Sequence, residues 1–545
     1  MSQASGENNS YTLPLAVSAA VSFCVVLSFL HFGIPSGHDF EFHFNSWIEV
    51  VNHWKEGVLY PHWAALAHYA YGEARFIFYP PISWIFGALL GLILPWKLVS
   101  AAYLWIALTL SGASMFALAR RWFDRSDAIL AAAVYAVNPY HLVIVFWRSD
   151  MAELLAASYL PLLLLYLLRA EEEGSRVTVP LALLLAAGWL TNVPTAIMMH
   201  YSIAVLALTL AVSKRLYGLL ASVAVAILLG AALASVYLLP VFHQLHWINI
   251  GQVLAPGVQP EDSFLFTTTS DADHNRFNLL ISIVAIWEIA ILVASFFISR
   301  RMRNRTSWRL VLAWSMLCIL LMFRFSLSMW SHLPELRYVQ FPWRWLLCMN
   351  VCFGLITVMA LRHAWLRVIV FGCVLASVLL VWRNVQTPWW DDGGDIQEML
   401  DNQQDGVGNE GADEYVPADV DPYDADQNAP RVRFEGPGHA DVQVIKWDAE
   451  FRSLRVKSSV PGALLLRLFN YPLWRADIDG RPAKTSTSSI AGQIVVAIPA
   501  GQSAIQIKFV EGWDRWAGAG ISFAALLLCL LLRRRAPSGN LHPHN

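Results

Sequence analysis

The residues best suited to chemistry follow the first apolar block of this 545-residue chain. Residues 36–43 read SGHDFEFH and place His38, Asp39 and Glu41 ahead of a run whose apolar residues recur at helical spacing. We expect one face of that helix to lie in the membrane interface. A carboxylate at such a boundary could take a proton from a hydroxyl or hold a divalent metal. Ser36-x-x-Asp39 could equally cap the helix.

A second charged group, WRSDMAE at 147–153, lies where two adjacent apolar blocks meet. Arg148 could bind a phosphate through two parallel hydrogen bonds. Asp150-x-x-Glu153 could instead cap the following helix. Both interpretations stay open, and we keep all three residues as candidates for substrate binding.

A third group, ELRYVQFPWRW at 335–345, sets Glu335, Arg337 and Arg344 among aromatic residues. One explanation is an aromatic belt with snorkelling arginines. The other is a seat for a lipid-linked phosphate, with the aromatic rings against a sugar or lipid. Together with His38 and Glu41 of the first group, these three residues complete the set of candidates for substrate binding.

The composition indicates what must position these groups. The chain is 57% hydrophobic and 14% charged, whereas soluble domains carry about 25% charged residues. Its apolar residues form blocks of the length that crosses a bilayer as a helix. The formal net charge of −2 gives no reason to expect a nucleic-acid partner. All six cysteines lie in apolar blocks, which supports neither a disulfide framework nor a zinc site. The blocks fall near 12–30, 80–95, 98–119, 127–147, 151–169, 177–191, 194–213, 217–239, 277–299, 308–328, 342–361, 366–383 and 514–533.

The orientation follows from basic residues in short loops, which stay in the cytoplasm. If block 80–95 does not span, every basic loop falls on one side. This predicts twelve spans in a multi-pass protein of the plasma (inner) membrane, with both termini cytoplasmic. The basic loops are 120–125, 214–215, 300–305, 362–367 and 533–535.

The predicted fold is a polytopic α-helical membrane protein with a small extracytoplasmic β-sandwich. A transmembrane domain at 1–383 contains a long first outer loop at about 31–97. An acidic outer linker or loop follows at 384–430, where Lys and Arg are absent after Arg383. Strand-like alternation predicts the sandwich at 431–513. A final span and a cytoplasmic tail occupy 514–545.

Several stretches resemble a prokaryotic membrane family labelled "6-pyruvoyl-tetrahydropterin synthase-related". More broadly, the layout resembles the GT-C superfamily of membrane glycosyltransferases. Nothing resembles the zinc site of the soluble pterin enzyme. The stretches are GHD at 37–39, FYPP at 78–81, FPWR at 341–344, NEGADEYVP at 409–417, NYPLWR at 470–475 and DG at 479–480.

The resemblance implies a glycosyltransferase that moves a sugar from a polyprenyl-phosphate-linked donor to a glycan, lipid or protein acceptor. Asp39 matches the Asp of the first outer loop in GT-C enzymes and would be the base or a metal ligand. An outer arginine would neutralise the leaving phosphate. The loop lacks an adjacent acidic pair, so no cofactor is certain. A divalent metal, Mg or Mn, is possible, and its ligands are unknown.

Two other functions stay open. The chain could be a transporter or flippase for lipid-linked glycans, although its polar groups gather at the outer rim rather than at the midplane. It could also be a catalytically silent assembly protein of the same fold, since fold does not fix function.

Overall fold

The computed structural model describes residues 11–173, 177–361 and 390–535, with scattered positions between 363 and 376. The span predicted at 366–383 therefore lies largely outside the described residues. Within them, eight helices are long and apolar enough to cross a membrane, or up to ten if each of two bent pairs counts as one span. The predicted total of twelve stays a prediction.

Two apolar helices are too short to cross about 30 Å of hydrocarbon at 1.5 Å per residue. Pro81–Ile93 has 13 residues, which is compatible with the non-spanning segment expected at 80–95. Thr178–Thr191 has 14 residues and falls where a full span was expected. The bent pairs are Gly218–Leu233 with Ser235–Trp247, at 73°, and Thr306–Met322 with Arg324–His332, at 91°.

The chain forms two compact units that alternate along the sequence. The first unit comprises 1–40, 100–230 and 256–392, and the second comprises 41–99, 231–255 and 393–545. Each unit is thus built from three separate stretches, whereas the sequence suggested domains that follow one another along the chain. The boundaries of those domains stay a prediction.

The first unit is almost entirely helical. Its two short strands, β1 (Ile34–Pro35) and β2 (Trp390–Asp391), pair in antiparallel fashion. Its α-helices are, wholly or in most of their length, Thr12–Val26, Phe29–Phe32, Trp96–Ala119, Arg125–Ala136, Pro139–Val143, Met151–Ala157, Leu160–Glu173, Thr178–Thr191, Val193–Lys214, Gly218–Leu233, Ala272–Ile298, Thr306–Met322, Leu327–His332 and Leu346–Ala360.

The second unit combines helices with two antiparallel sheets. Its α-helices are Phe40–Lys55, Ala67–Ala70, Arg75–Phe78, Pro81–Ile93, Ser235–Gln244, Gly393–Asp405 and Trp513–Arg535. Its strands are β3 (Val432–Glu435), β4 (Ala440–Trp447), β5 (Phe451–Ser458), β6 (Gly462–Phe469), β7 (Trp474–Ile478), β8 (Arg481–Ala483), β9 (Thr485–Thr487), β10 (Gln493–Ile498) and β11 (Gly501–Phe509).

The strand orders are β3-β6-β10-β9 and β4-β5-β11-β7-β8. Alternate residues of both sheets, such as Leu454 and Val456 of β5 and Leu464 and Leu466 of β6, join one apolar core. The two sheets therefore pack as a sandwich in the region where the alternation predicted one.

Helix Phe40–Lys55 differs from its expected position in the membrane interface. Its apolar residues Phe44 and Trp47 are fully buried, and so are its polar residues Asn45 and Glu49. The indole of Trp47 lies where a side chain on Gly87 of helix Pro81–Ile93 would be. An amphipathic pattern cannot distinguish a lipid partner from a protein partner, and here the partner is protein.

The acidic segment expected as an extended linker is folded in part. Helix Gly393–Asp405 lies within it, with Ile396 and Gln403 buried. The following backbone is hydrogen-bonded to the first loop, through Asn409 N to Leu66 O at 2.9 Å and Ala74 N to Tyr415 O at 3.2 Å. The absence of Lys and Arg therefore did not indicate that this segment is extended.

Candidate active site

The backbone of residues 37–39 holds Asp39 against Arg148. The amides of His38 and Asp39 donate to the carbonyl oxygens of Trp147 and Arg148, at 3.2 and 2.9 Å. A Cβ on Gly37 would lie 2.6 Å from the Trp147 carbonyl oxygen and 2.3 Å from the hydroxyl oxygen of Ser149. Glycine is therefore required for this close approach.

Arg148 is presented by an irregular stretch of the block predicted as one continuous span. The helix breaks at Asn138, whose side chain accepts from the amide of His141 and caps a new helix at Pro139. The chain then widens into a π-helix at Ile144–Arg148 and turns at Ser149, with φ 54°. Such irregularities gather at functional sites.

Five charged side chains form one connected group, which we call the arginine–carboxylate network: Asp39, Arg148, Asp150, Glu153 and Arg344. Nη2 of Arg148 lies 2.9 Å from Oδ2 of Asp39 and 3.4 Å from Oδ2 of Asp150. Arg344 contacts Asp150 at 3.2 Å and Glu153 at 3.0 Å. Asp39 has a side chain 34% exposed, whereas no other member exceeds 5%. It is the carboxylate of this network that a substrate can reach.

Asp150 combines the two roles that the sequence left open. Its Oδ1 accepts from the amide of Glu153 at 2.9 Å, which caps helix Met151–Ala157. Its Oδ2 faces the guanidinium groups of Arg148 and Arg344. The cap fixes the carboxylate, and the carboxylate fixes the two arginines.

Two partners of the network were missed from the sequence. The hydroxyl of Tyr140 donates to Oε1 of Glu153 at 2.6 Å. The side-chain oxygen of Gln340 accepts from Nη1 of Arg344 at 3.0 Å. The Asn138-Pro139 pair signalled a helix start just before Tyr140, which would have placed this residue at the site.

Aromatic rings cover the guanidinium groups. The Phe341 ring lies 5.0 Å from the Arg148 guanidinium carbon and 4.9 Å from that of Arg344. Trp343 stacks on Phe341 at 4.7 Å and also faces Arg148 at 5.1 Å. Cation–π contacts of this kind strengthen where water is excluded, so the rings hold the arginines in place.

The network leaves donor capacity on Arg148. Its Nε is buried and has no hydrogen-bonding partner among the described residues. Beside it, burial and then the charge of Arg148 lower the pKa of His38, outweighing the opposite effect of Asp39.

Four predicted residues lie outside the network: His38, which lies next to Asp39 in the chain, and Glu41, Glu335 and Arg337. Arg337 pairs with Glu261 at 3.0 Å. Glu335 is exposed in a left-handed conformation, with φ 57°. Glu41 belongs to the second unit, where burial and then the charge of Glu410 raise its pKa. Their proposed part in substrate binding stays a prediction.

The network does not offer a site for a divalent cation. No group of three His, Cys, Asp or Glu side chains arranged for a metal occurs in the described part of the chain. The carboxylates of Asp39, Asp150 and Glu153 face guanidinium groups instead. A requirement for Mg or Mn stays a prediction.

Multiple apolar helices of spanning length define the class of the molecule, a polytopic membrane protein. The chain belongs to the 6-pyruvoyl-tetrahydropterin synthase-related family: the family model described as "6-pyruvoyl-tetrahydropterin synthase related domain; membrane protein" matches residues 76–387. The family resemblance read from the sequence is thereby confirmed. No protein with curated annotation matches the chain.

Solved structures similar to the chain include two of an oligosaccharyltransferase from Archaeoglobus fulgidus. The apo form is 13% identical, with a TM-score of 0.44, over 74% of this chain and 57% of that one. The complex with Zn and sulfate is 14% identical, with a TM-score of 0.39, over 73% and 53%. The chain thus spans little more than half the length of that enzyme.

Proposed function

We propose that the protein is a membrane glycosyltransferase that moves a sugar from a polyprenyl-phosphate-linked donor to an extracytoplasmic acceptor. One observation carries the proposal: Asp39, the exposed carboxylate of the network, lies 2.9 Å from the buried guanidinium of Arg148. The first group can accept a proton and the second can bind a phosphate. Sugar transfer from a phosphate carrier needs both.

Arrival of the donor exchanges the partners of Arg148. A phosphate oxygen takes the guanidinium hydrogen bond that Asp39 holds in the free protein, and the unpaired Nε supplies a second donor. Asp150 and the Phe341 ring keep the guanidinium in position during the exchange. The freed Asp39 carboxylate then turns to the acceptor hydroxyl.

Transfer is a direct displacement at the anomeric carbon. The acceptor oxygen forms the new bond to that carbon while its proton passes to Asp39. The bond from carbon to phosphate oxygen breaks, and its electron pair stays on the phosphate. The lipid phosphate thus gains one negative charge, which Arg148 stabilises more strongly than it does the donor's charge. The anomeric configuration inverts.

The proposal places this chemistry at the extracytoplasmic face of the plasma membrane, with the termini in the cytoplasm. Polyprenyl-phosphate sugars lie in the bilayer, so the membrane delivers the donor. The acceptor is a glycan, lipid or protein. The partly exposed ring of Phe341, beside Arg148, provides a surface for the sugar or the lipid.

The test is donor turnover by the purified full-length protein in lipid nanodiscs. Polyprenyl-phosphate-linked sugars carrying a radiolabelled sugar are supplied with candidate acceptors, with and without Mg²⁺ or Mn²⁺. Release of the lipid phosphate with transfer of the label supports the proposal. Donor binding without turnover, joined to movement of donor between leaflets in proteoliposomes, would favour a flippase. Binding with neither activity would favour a silent assembly protein.

A further inference from the structure

The second unit contains an open cavity of about 370 Å³. Its walls come from helix Phe40–Lys55, residues 65–70, the end of helix Gly393–Asp405 and the turn between β4 and β5. A cavity of only about 10–15 Å³ can hold one buried water, and small-molecule sites begin at about 300 Å³. The cavity therefore has the size of a small-ligand site.

Three acceptor atoms on the walls are buried without a hydrogen-bonding partner in the described chain: Oε1 of Glu49, Nε2 of His53 and Oε1 of Gln403. Their side chains are otherwise fixed. Oε2 of Glu49 accepts from the Leu66 amide at 3.2 Å. Nε2 of Gln403 donates to Asn45 at 3.1 Å. These residues are at most 6% exposed.

The position of the ring hydrogen of His53 follows from the contact of Nδ1. Nδ1 lies 2.8 Å from the backbone carbonyl oxygen of Glu49, which can only accept, so Nδ1 carries the hydrogen. When the ring is neutral, Nε2 is therefore an acceptor. Glu450 lies 3.8 Å from this atom, beyond hydrogen-bond distance.

One charged donor faces the same cavity. Arg452 is 2% exposed, and its Nε has no partner in the described chain. Nη1 donates to the backbone carbonyl oxygen of Asp448. The guanidinium lies between the rings of Trp447 and Trp474, at 5.1 and 5.2 Å. The donor is thus held rigidly while one of its hydrogens stays available.

This combination of atoms selects the chemistry of the ligand. An inorganic anion would satisfy Arg452 but meet three acceptors. A metal cation would satisfy the acceptors but meet Arg452. The other charged residues on the walls are of both signs, with Lys55, Arg431 and Arg467 beside Glu56 and Asp448. A hydroxyl both donates and accepts, and a polyol offers several at fixed spacing. We propose that this cavity is a carbohydrate-binding site that holds one saccharide unit, free or at the end of a glycan.

Glu49 has a property that suits such a ligand. Burial raises its pKa to about 7, against the opposite effect of Arg75. Its free oxygen can therefore accept from a hydroxyl as a carboxylate or donate to one as an acid. The site shares no residue with the arginine–carboxylate network, so it does not depend on the glycosyltransferase proposal.

The experiment measures saccharide binding to the full-length protein in nanodiscs by saturation-transfer NMR titration. The probes are neutral hexoses, N-acetylhexosamines and a hexuronate, each free and at the end of a short oligosaccharide. Inorganic phosphate is tested alone. We expect at least one saccharide to bind, and Gln403→Leu to weaken it about tenfold, since one hydrogen bond to a buried acceptor is lost. Stronger binding of the oligosaccharide form would identify a glycan as the source.

Gln397→Leu is the matched control, because Gln397 lies exposed on the same helix and contacts Asp401 at 2.8 Å. Its binding should equal that of the wild type. Glu49→Gln keeps the side-chain shape and should also weaken binding, which covers the case that Gln403→Leu fails to fold. The proposal is overturned if no saccharide binds, if only phosphate binds, or if a folded Gln403→Leu or Glu49→Gln binds like the wild type.

Discussion

Asp39 and Asp150 contact the same guanidinium but differ in their surroundings. Asp39 is 34% exposed at its side chain, whereas Asp150 is 5% exposed and lies between Arg148 and Arg344. An exposed carboxylate can exchange partners when a phosphate arrives. A buried one that caps a helix and joins two arginines cannot do so without disrupting the site. We therefore assign proton transfer to Asp39 and positioning to Asp150.

Replacing Arg344 should destabilise the protein strongly. Arg344→Met removes one partner of the buried carboxylates of Asp150 and Glu153. This should lower the free energy of unfolding by about 3–5 kcal/mol. Thermal or denaturant unfolding in detergent measures it. Arg433→Met is the control, because Arg433 and Glu435 form an exposed pair worth at most about 1 kcal/mol. Equal stability of the two variants would contradict a structural role for Arg344.

Glu49 predicts a pH dependence of stability. Its pKa is about 7 in the folded protein and about 4.3 in an unfolded chain. The folded state therefore holds the proton more tightly, and the stability it contributes at low pH is lost as the pH rises from about 4.5 to 7. Unfolding of Glu49→Gln at pH 5 and pH 8 should show a smaller loss than that of the wild type. An identical loss would contradict this pKa.

Among the elements, the loop after the first span shows best how local geometry positions chemistry. Gly37 packs against the backbone of Trp147, and the next two amides pair with residues 147 and 148. The π-helix Ile144–Arg148 brings the opposing carbonyl groups into place. The loop at Gly37 and the π-helix are both needed, because neither can place Asp39 beside Arg148 without the other.

Gly37→Ala should lower the turnover rate strongly and the free energy of unfolding only a little. The added methyl would push the loop from the Trp147 carbonyl, and a misplacement of about 1 Å at a reacting group can cost on the order of 100-fold in rate. Turnover and unfolding of the same preparation test this. Gly218→Ala is the control, since nothing lies within 4 Å of its Cβ position. Wild-type turnover in Gly37→Ala would show that the contact is dispensable.

The sequence predicted some of these elements well. Alternation located strands such as β6 and β11, because one face of each sheet is buried and the period is two. The charged groups at residues 39, 148–153 and 344 were all identified as candidates. Their mutual contacts could not be predicted, since a pair such as Asp150 and Arg344 is 194 residues apart and leaves no local pattern. The partner of helix Phe40–Lys55 was missed for the same reason. The π-helix Ile144–Arg148 was missed because its residues belong to an apolar block that was interpreted as one continuous span.

For the whole molecule, the notable feature is that two compact units alternate along one chain. The sequence suggested consecutive domains, because changes in composition mark segments rather than spatial neighbours. The first loop and the C-terminal region both contribute to the second unit, through an apolar core that includes Trp63 and Tyr71 as well as Trp474. Removing the C-terminal region would therefore expose residues of the first loop.

The predicted orientation can be tested by cysteine labelling in intact cells. A single cysteine at Asn304, in an exposed basic loop, should resist a membrane-impermeant maleimide because that loop is predicted to be cytoplasmic. A single cysteine at Ser489, exposed in the sandwich, should react. Both variants need a background without the six native cysteines. Labelling of the cysteine at position 304 and protection of the one at position 489 would indicate the opposite orientation. That result would contradict the proposed extracytoplasmic site.

The most direct test of the central claim compares Asp39→Asn with the wild type for donor binding and sugar transfer. Asparagine keeps the shape of the side chain but cannot accept the hydroxyl proton. Asp441→Asn, at an exposed position of β4, is the control. We predict that Asp39→Asn folds and binds donor, yet transfers sugar at least about 100-fold more slowly. Transfer at the wild-type rate by folded Asp39→Asn would contradict the account.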